Sequence, residues 1–160
     1  MRCIKILSRL IIVLTVMLPV LASSPHAASA AGSTPLVTGS LPPAAGSKRI
    51  VVSLAQQRVY AYEGNSIVFS TGANIRGARR GTFRVETKMP MARSDVLGWR
   101  LPYWLGIYFG QGGIENGFHG YSLRDSGGIA TNSLGCIVMP TGSAAKLYRW
   151  VPIGTLVVIQ

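Results

Sequence analysis

Glycine and proline interrupt this chain too often for a helical bundle. Nineteen Gly and nine Pro occur among its 160 residues, against ~12% for the two together in average composition, and punctuation at that density favours short strands joined by turns. Eight of the glycines fall between 110 and 135. That stretch reads as a folded loop surface whose only strong β signal lies near Phe118-His119. The net charge is +11, yet charged residues make up only 13% of the chain and hydrophobic ones 48%, which excludes a disordered polycation and provides for a core. The length suits one domain.

The first thirty residues stand apart. Arg2, Lys5 and Arg9 precede the apolar run Leu10–Leu21, and small residues follow, ending in Ala28-Ser29-Ala30. Basic start, hydrophobic middle and small-residue end make a secretory signal, expected to be cleaved near Ala30 with export to the periplasm or cell wall. The apolar run carries Pro19 and falls short of the ~20 residues that span a bilayer, so an uncleaved anchor is the weaker alternative. Residues 31–47, rich in Gly, Ser, Pro, Thr and Ala, read as a flexible linker. The folded domain is expected over 48–160.

Within that domain, Arg49–Leu54, Arg58–Tyr62 and Ser66–Thr71 have the composition of three short strands joined by turns. Thr82–Thr87 alternates as a fourth strand, Lys88–Arg100 reads as irregular, and Leu101–Phe109 is aromatic-rich and extended. After the glycine-rich stretch comes the short apolar run Cys136–Met139. Pro140-Thr141-Gly142 then opens a helix with apolar residues at 144, 147, 148 and 151, which Pro152 ends. A buried strand closes the chain near Ile159.

Removing the signal leaves a net charge of about +8, one cysteine, Cys136, and one histidine, His119. The charge suits contact with a polyanionic envelope polymer. No nucleic acid and no stable protein partner is inferred. A single thiol outside the cytoplasm calls for a reason. One reading makes Cys136 a small buried hydrophobe; the other makes it a nucleophile at a loop-to-strand junction. An unperturbed thiol is only a few per cent ionised at neutral pH, so a nucleophilic Cys136 needs a base, and the one imidazole is His119. Together they match the nucleophile and base of covalent acyl transfer, with a backbone carbonyl sufficient to orient the ring. Gly135 removes a side chain beside the sulfur, and the amides of Gly135 and Cys136 are candidate oxyanion donors. Arg76, Arg79 and Arg80 are a rival source of thiol activation through their positive field. One Cys, one His and no clustered carboxylates make no metal site, and no cofactor is implied.

These residues resemble the L,D-transpeptidase catalytic domain, or YkuD, family. Arg49–Tyr62 is similar to its opening strand pair, Gly81-Thr82-Phe83-Arg84-Val85 to its G-T-[FY]-x-[VI] strand, and Leu101-Pro102-Tyr103-Trp104-Leu105 to its [ML]-P-Y-[WF] segment. Phe118-His119-Gly120 follows, then Ser133-Leu134-Gly135-Cys136-Ile137 in place of S-H-G-C-[IV], and Val151–Val157 resembles the closing V-P-x-G-T-x-V. The resemblance implies a mainly β fold, a sandwich of short mixed strands with one short C-terminal helix. It also implies an enzyme of peptidoglycan remodelling and a carbapenem target. In the family, the cysteine attacks tetrapeptide stems, releases D-alanine and passes the acyl group to an amine. Carried over, Cys136 is the nucleophile, His119 the base and the carbonyl of Gly120 the acceptor that orients His119. Gly135 and Cys136 form the oxyanion hole, and Tyr103, Trp104 and Ser133 bind substrate. Three positions depart from the pattern: Leu134 replaces a His, Val138 replaces an Arg or Asn, and Arg79-Arg80 replaces a Thr-Pro. Two other readings are a non-catalytic envelope-binding module of the same fold and a sortase-like transpeptidase. Sortase wants T-L-x-T-C and a later catalytic Arg, where this chain has Asn132–Cys136 and only Arg149 on the expected helix.

Overall fold

A computed structural model describes residues 47–94 and 97–160; the signal and nearly all of the linker lie outside the described residues. The elements are β1 (Lys48–Ser53), β2 (Arg58–Glu63), β3 (Ser66–Gly72), β4 (Gly81–Arg84), β5 (Thr87–Ser94), β6 (Trp99–Phe109), β7 (Glu115–Gly120), β8 (Ser122–Arg124), β9 (Ile129–Ala130), β10 (Ile137–Met139), α1 (Thr141–Trp150) and β11 (Leu156–Ile159). They form two sheets. The first runs β3-β2-β1-β11-β4, and the second β10-β7-β6-β8-β9 with β5 on the free edge of β6. This is the mainly β sandwich with one short helix that the sequence predicts.

Alternation explains the first sheet. In β1, Ile50 and Val52 are fully buried while their neighbours are not, because successive side chains of a strand point to opposite faces. Register aligns Ile50 with Ala61 and Val157, and Val52 with Val59 and Ile159, so two apolar rows cross three strands. They pack against Leu105, Ile107, Phe118, Ile137 and Met139 from the second sheet and Ala144, Leu147 and Val151 from the α1 region. Burying each of the larger side chains contributes on the order of 1.5–3 kcal/mol. The Val151 amide closes α1 on the Leu147 carbonyl at 2.9 Å, and Pro152 cannot extend it.

Three expectations change. The strand expected over Thr82–Thr87 is split: Val85 donates to the Thr155 carbonyl at 3.0 Å and Glu86 to the Gly106 carbonyl at 2.8 Å. The chain therefore crosses from one sheet to the other there. Lys88–Arg100 is mostly ordered strand, since β5 pairs along β6 from Thr87↔Gly106 to Ser94↔Trp99. Its outward face gives no alternating signal because Met89 and Met91 are exposed. The glycine-rich stretch also contains more strand than expected, in β7, β8 and β9.

Candidate active site

The site lies on the outer face of the second sheet. Its centre is β7, a strand flanked by β6 on one side and β10 on the other. β10 pairs with β7 in parallel, Ile137↔Phe118 and Val138↔His119, so the start of β10 brings Cys136 alongside the Gly117–His119 segment although seventeen residues separate the thiol from the imidazole. On its other side β7 packs so closely on β6 that a side chain must be missing. A Cβ on Gly117 would stand 2.1 Å from the Leu105 carbonyl oxygen and 2.8 Å from the Gly106 Cα, both backbone atoms of β6. Gly117→Ala is therefore expected to cost at least about 1–3 kcal/mol by overpacking and to pull His119 and Cys136 out of alignment. A thermal melt and an active-site acylation assay check this; wild-type values in both would contradict it.

Cys136 is half-buried, packed against the small cluster of Ala92, Leu101 and Trp104. It also lines a cavity of about 1060 Å³ together with His119, Trp104 and Glu115. The thiol thus reaches open space, as a nucleophile must. Burial pushes its pKa up, a backbone hydrogen bond from Gly117 opposes this, and the negative charge of Glu115 adds to the rise. Asn116 Oδ1 accepts from the thiol at 3.7 Å.

His119 is 3% exposed and stacks on the Trp104 indole, with centroids 5.8 Å apart and planes 23° apart. Its Nδ1 lies 2.6 Å from the Gly120 carbonyl oxygen. A carbonyl only accepts, so Nδ1 carries the proton and donates, and Nε2 keeps its lone pair as a base. Burial lowers the His119 pKa, with the Gly120 carbonyl acting in the opposite direction. The resting pair is therefore a neutral thiol and a neutral imidazole.

The loop before the thiol is fixed by polar bonds that its sequence did not announce. Ser133 is buried. Its Oγ lies 2.9 Å from the Arg76 carbonyl and 2.5 Å from the Cys136 carbonyl, and accepts from the Gly135 amide at 3.2 Å. Tyr108 donates to the Gly135 carbonyl at 2.9 Å and accepts from the Arg79 amide at 3.0 Å. Gly135 sits at φ +125°, where a Cβ would stand 2.5 Å from Asn116 Oδ1.

Of the residues singled out from sequence, Cys136, His119, Gly120 and Trp104 come together. Three others have surroundings that the sequence did not show. Ser133 lines the cavity, with its hydroxyl bonded to the Arg76 and Cys136 carbonyls. The Gly135 amide donates to Ser133 Oγ. Tyr103 does not line the cavity: it adopts φ 59° and its ring packs on Tyr148 of α1 at 5.8 Å. That left-handed residue breaks the pleat of β6, and Leu101 and Trp104, three apart, both line the cavity.

Arg79 lines the cavity but its guanidinium lies over the Phe83 and Tyr108 rings at 5.1 and 4.9 Å, and the nearby charge acting on the thiol is that of Glu115. At the departures from the family pattern, Leu134 is 72% exposed on the cavity rim. Val138 is buried, its amide and carbonyl both bonded to Asn74. Sequence reasoning missed Glu115, Thr87 and Asn116; Glu115 offered a signal in being one of only five acids in the chain.

Solved structures share this architecture. An L,D-transpeptidase from Stackebrandtia nassauensis superposes with a TM-score of 0.56 at 21% identity, covering 71% of this chain and 55% of its own. One from Mycobacterium smegmatis gives 0.54 at 20%, covering 71% and 58%. An L,D-transpeptidase solved in complex with imipenem gives 0.55 at 17%, covering 71% and 59%. The chain thus spans less than two thirds of the length of these structures, and at such identities the likeness is one of fold. No curated protein matches the chain. The L,D-transpeptidase catalytic domain model matches residues 47–159, which takes in both sheets, α1 and the Cys136–His119 pair, and on that match the chain belongs to the YkuD family.

Proposed function

We propose that this domain is a cysteine acyltransferase of peptidoglycan remodelling, an L,D-transpeptidase acting on tetrapeptide stems. The observation that carries the reading is His119, held by the Gly120 carbonyl with its Nε2 left as a base, on the same cavity as the Cys136 thiol. In the first half-reaction Nε2 takes the thiol proton as Sγ attacks the stem carbonyl. The amide C–N bond then breaks, and the imidazolium returns the proton to the departing D-alanine amine, leaving a thioester. In the second, an acceptor amine attacks the thioester, its proton passes to Nε2 and on to sulfur, and the thiol is regenerated. Crosslinking, hydrolysis and attachment to protein share the first half and differ in what reaches the thioester. The Cys136 amide is the remaining candidate oxyanion donor, and Trp104 forms the wall behind the base.

The protein is proposed to act outside the cytoplasm after cleavage near Ala30, with 31–47 as a linker ahead of the folded domain; N-terminal sequencing of exported protein starting elsewhere than near Ala31 would reject that site. The activity is tested by incubating the domain with a defined tetrapeptide stem and an amine acceptor. Loss of D-alanine with a matching mass gain on Cys136, followed by an acyl-amine product, is expected. Imipenem, found with a protein of similar fold, is expected to form an adduct on Cys136. No stem adduct and no imipenem adduct would favour an envelope-binding module without catalysis.

A further inference from the structure

Acidic side chains are scarce in this chain, and those that stand near cations are paired with them. Glu63 pairs with Lys48 at 3.9 Å, and Asp125 with Arg93 at 2.7 Å and Arg100 at 3.8 Å. Glu115 is different. It lines the cavity that holds Cys136, and among the described residues its hydrogen bonds come from neutral donors. Thr87 Oγ1 donates to Oε1 at 2.9 Å and Trp104 Nε1 to Oε2 at 3.3 Å. Each oxygen thereby keeps acceptor capacity in a fixed direction.

The carboxylate also has a seat built for it. A Cβ on Gly106 would stand 2.0 Å from Oε1 and 2.4 Å from Cδ of Glu115, so the group lies directly on the β6 backbone. Arg79 shares the cavity but is stacked on Phe83 and Tyr108, and Arg93 is bonded to Asp125. The rim is apolar, with Phe109, Ile114 and Leu134 all more than half exposed. A charge held beneath such a rim, with no cation among the described residues paired to it, is a recognition element in search of a positive group.

We infer that Glu115 receives an ammonium group of the substrate beside Cys136, an inference that rests on the acyl-transfer reading above. Two sources have this chemistry: the side-chain amine of the donor's diamino acid, and the acceptor amine before it gives up its proton. Docking either one cancels a negative charge that now opposes ionisation of the thiol, so recognition and activation are linked.

Acylation of Cys136 without acceptor is followed by intact mass using two donors, a stem tetrapeptide with a free side-chain amine and its twin acetylated at that nitrogen. The free-amine donor is expected to acylate about tenfold faster in kcat/KM, the order expected of one charge-assisted hydrogen bond. Glu115→Gln should bring the ratio near one, as should Gly106→Ala, whose methyl takes the place of Oε1. Glu115→Asp, keeping the charge, should retain part of the preference. If Glu115 served only to hold Trp104, both donors would slow equally and the ratio would survive, which would overturn the inference. Donors that react alike, with saturable acceleration of deacylation by a small primary amine that Glu115→Gln abolishes, would assign the ammonium to the acceptor. Equal donors and a Glu115-insensitive acceptor step would overturn the subsite and leave acyl transfer standing. No acylation by either donor would overturn both.

Discussion

Cys136→Ser is expected to abolish acyl transfer while leaving the fold nearly intact. A serine hydroxyl is far less acidic than a thiol, and one neutral imidazole does not activate it in this site, so loss on the order of 10³-fold or more is expected. The structure explains why the fold should survive. Cys136 is half-buried at the edge of the small Ala92–Leu101–Trp104 cluster and takes no part in the main core, and Asn116 Oδ1 stands ready to accept from a hydroxyl. A Tm within about 5 °C of wild type corresponds to a loss of ~1 kcal/mol in a domain of this size. Intact mass after imipenem or stem treatment, run beside a thermal melt, reads both. Adduct formation near the wild-type rate would remove Cys136 as the nucleophile, and a collapsed melt would return it to a structural role.

The second large effect is on pH dependence. Burial holds the His119 pKa below the ordinary imidazole value of about 6.5 and the Cys136 thiol above its own ordinary value. Between the two, base and nucleophile are both neutral and the proton moves only during attack. The acylation rate should therefore fall only when pH drops below about 6.5, as the imidazole finally protonates, and should stay level through neutral pH. A further rise belongs at alkaline pH, where the thiol ionises by itself. These midpoints belong to the pair rather than to either residue.

His119→Ala should erase the acid limb and leave a rate that climbs with thiol ionisation, ~10²–10⁴-fold slower at neutral pH. A triple Ala variant at Arg76, Arg79 and Arg80 should leave the midpoints nearly unmoved. If the arginine variant shifts the profile and His119→Ala does not, the imidazole is not the base. The same burial has a stability consequence with a definite sign. A histidine whose folded pKa is lowered stabilises the fold above the unfolded value of about 6.5, and that contribution is lost as pH falls below it. Rates on the acid side are accordingly taken well below the melting temperature at each pH.

Much of this molecule can be read locally. Arg49–Leu54 and Arg58–Tyr62 announce themselves because β-branched residues alternate between turns, and α1 because apolar residues recur at helical spacing after a proline. The candidate pair was legible for another reason: residues 31–160 hold one thiol and one imidazole, so chemistry had few residues to choose from. Those signals sit inside a window of ten residues or in the residue types themselves.

What the tertiary structure alone decided depends on register between distant strands. β5 is a strand because β6 offers it a long edge, and nothing in Met89-Pro90-Met91 alternates. Tyr103 turns away from the cavity because one left-handed φ breaks the pleat of β6, a conformation no composition rule assigns to tyrosine. Ser133 points inward because the Arg76 and Cys136 carbonyls converge there. Glu115 reaches the thiol's cavity because β7 lies against β6 where Gly106 leaves room for a carboxylate. Side-chain chemistry is local and travels with the sequence, whereas pairing partners are set by the free energy of the whole sandwich. The candidate reacting groups were therefore visible from the start, and their surroundings were not.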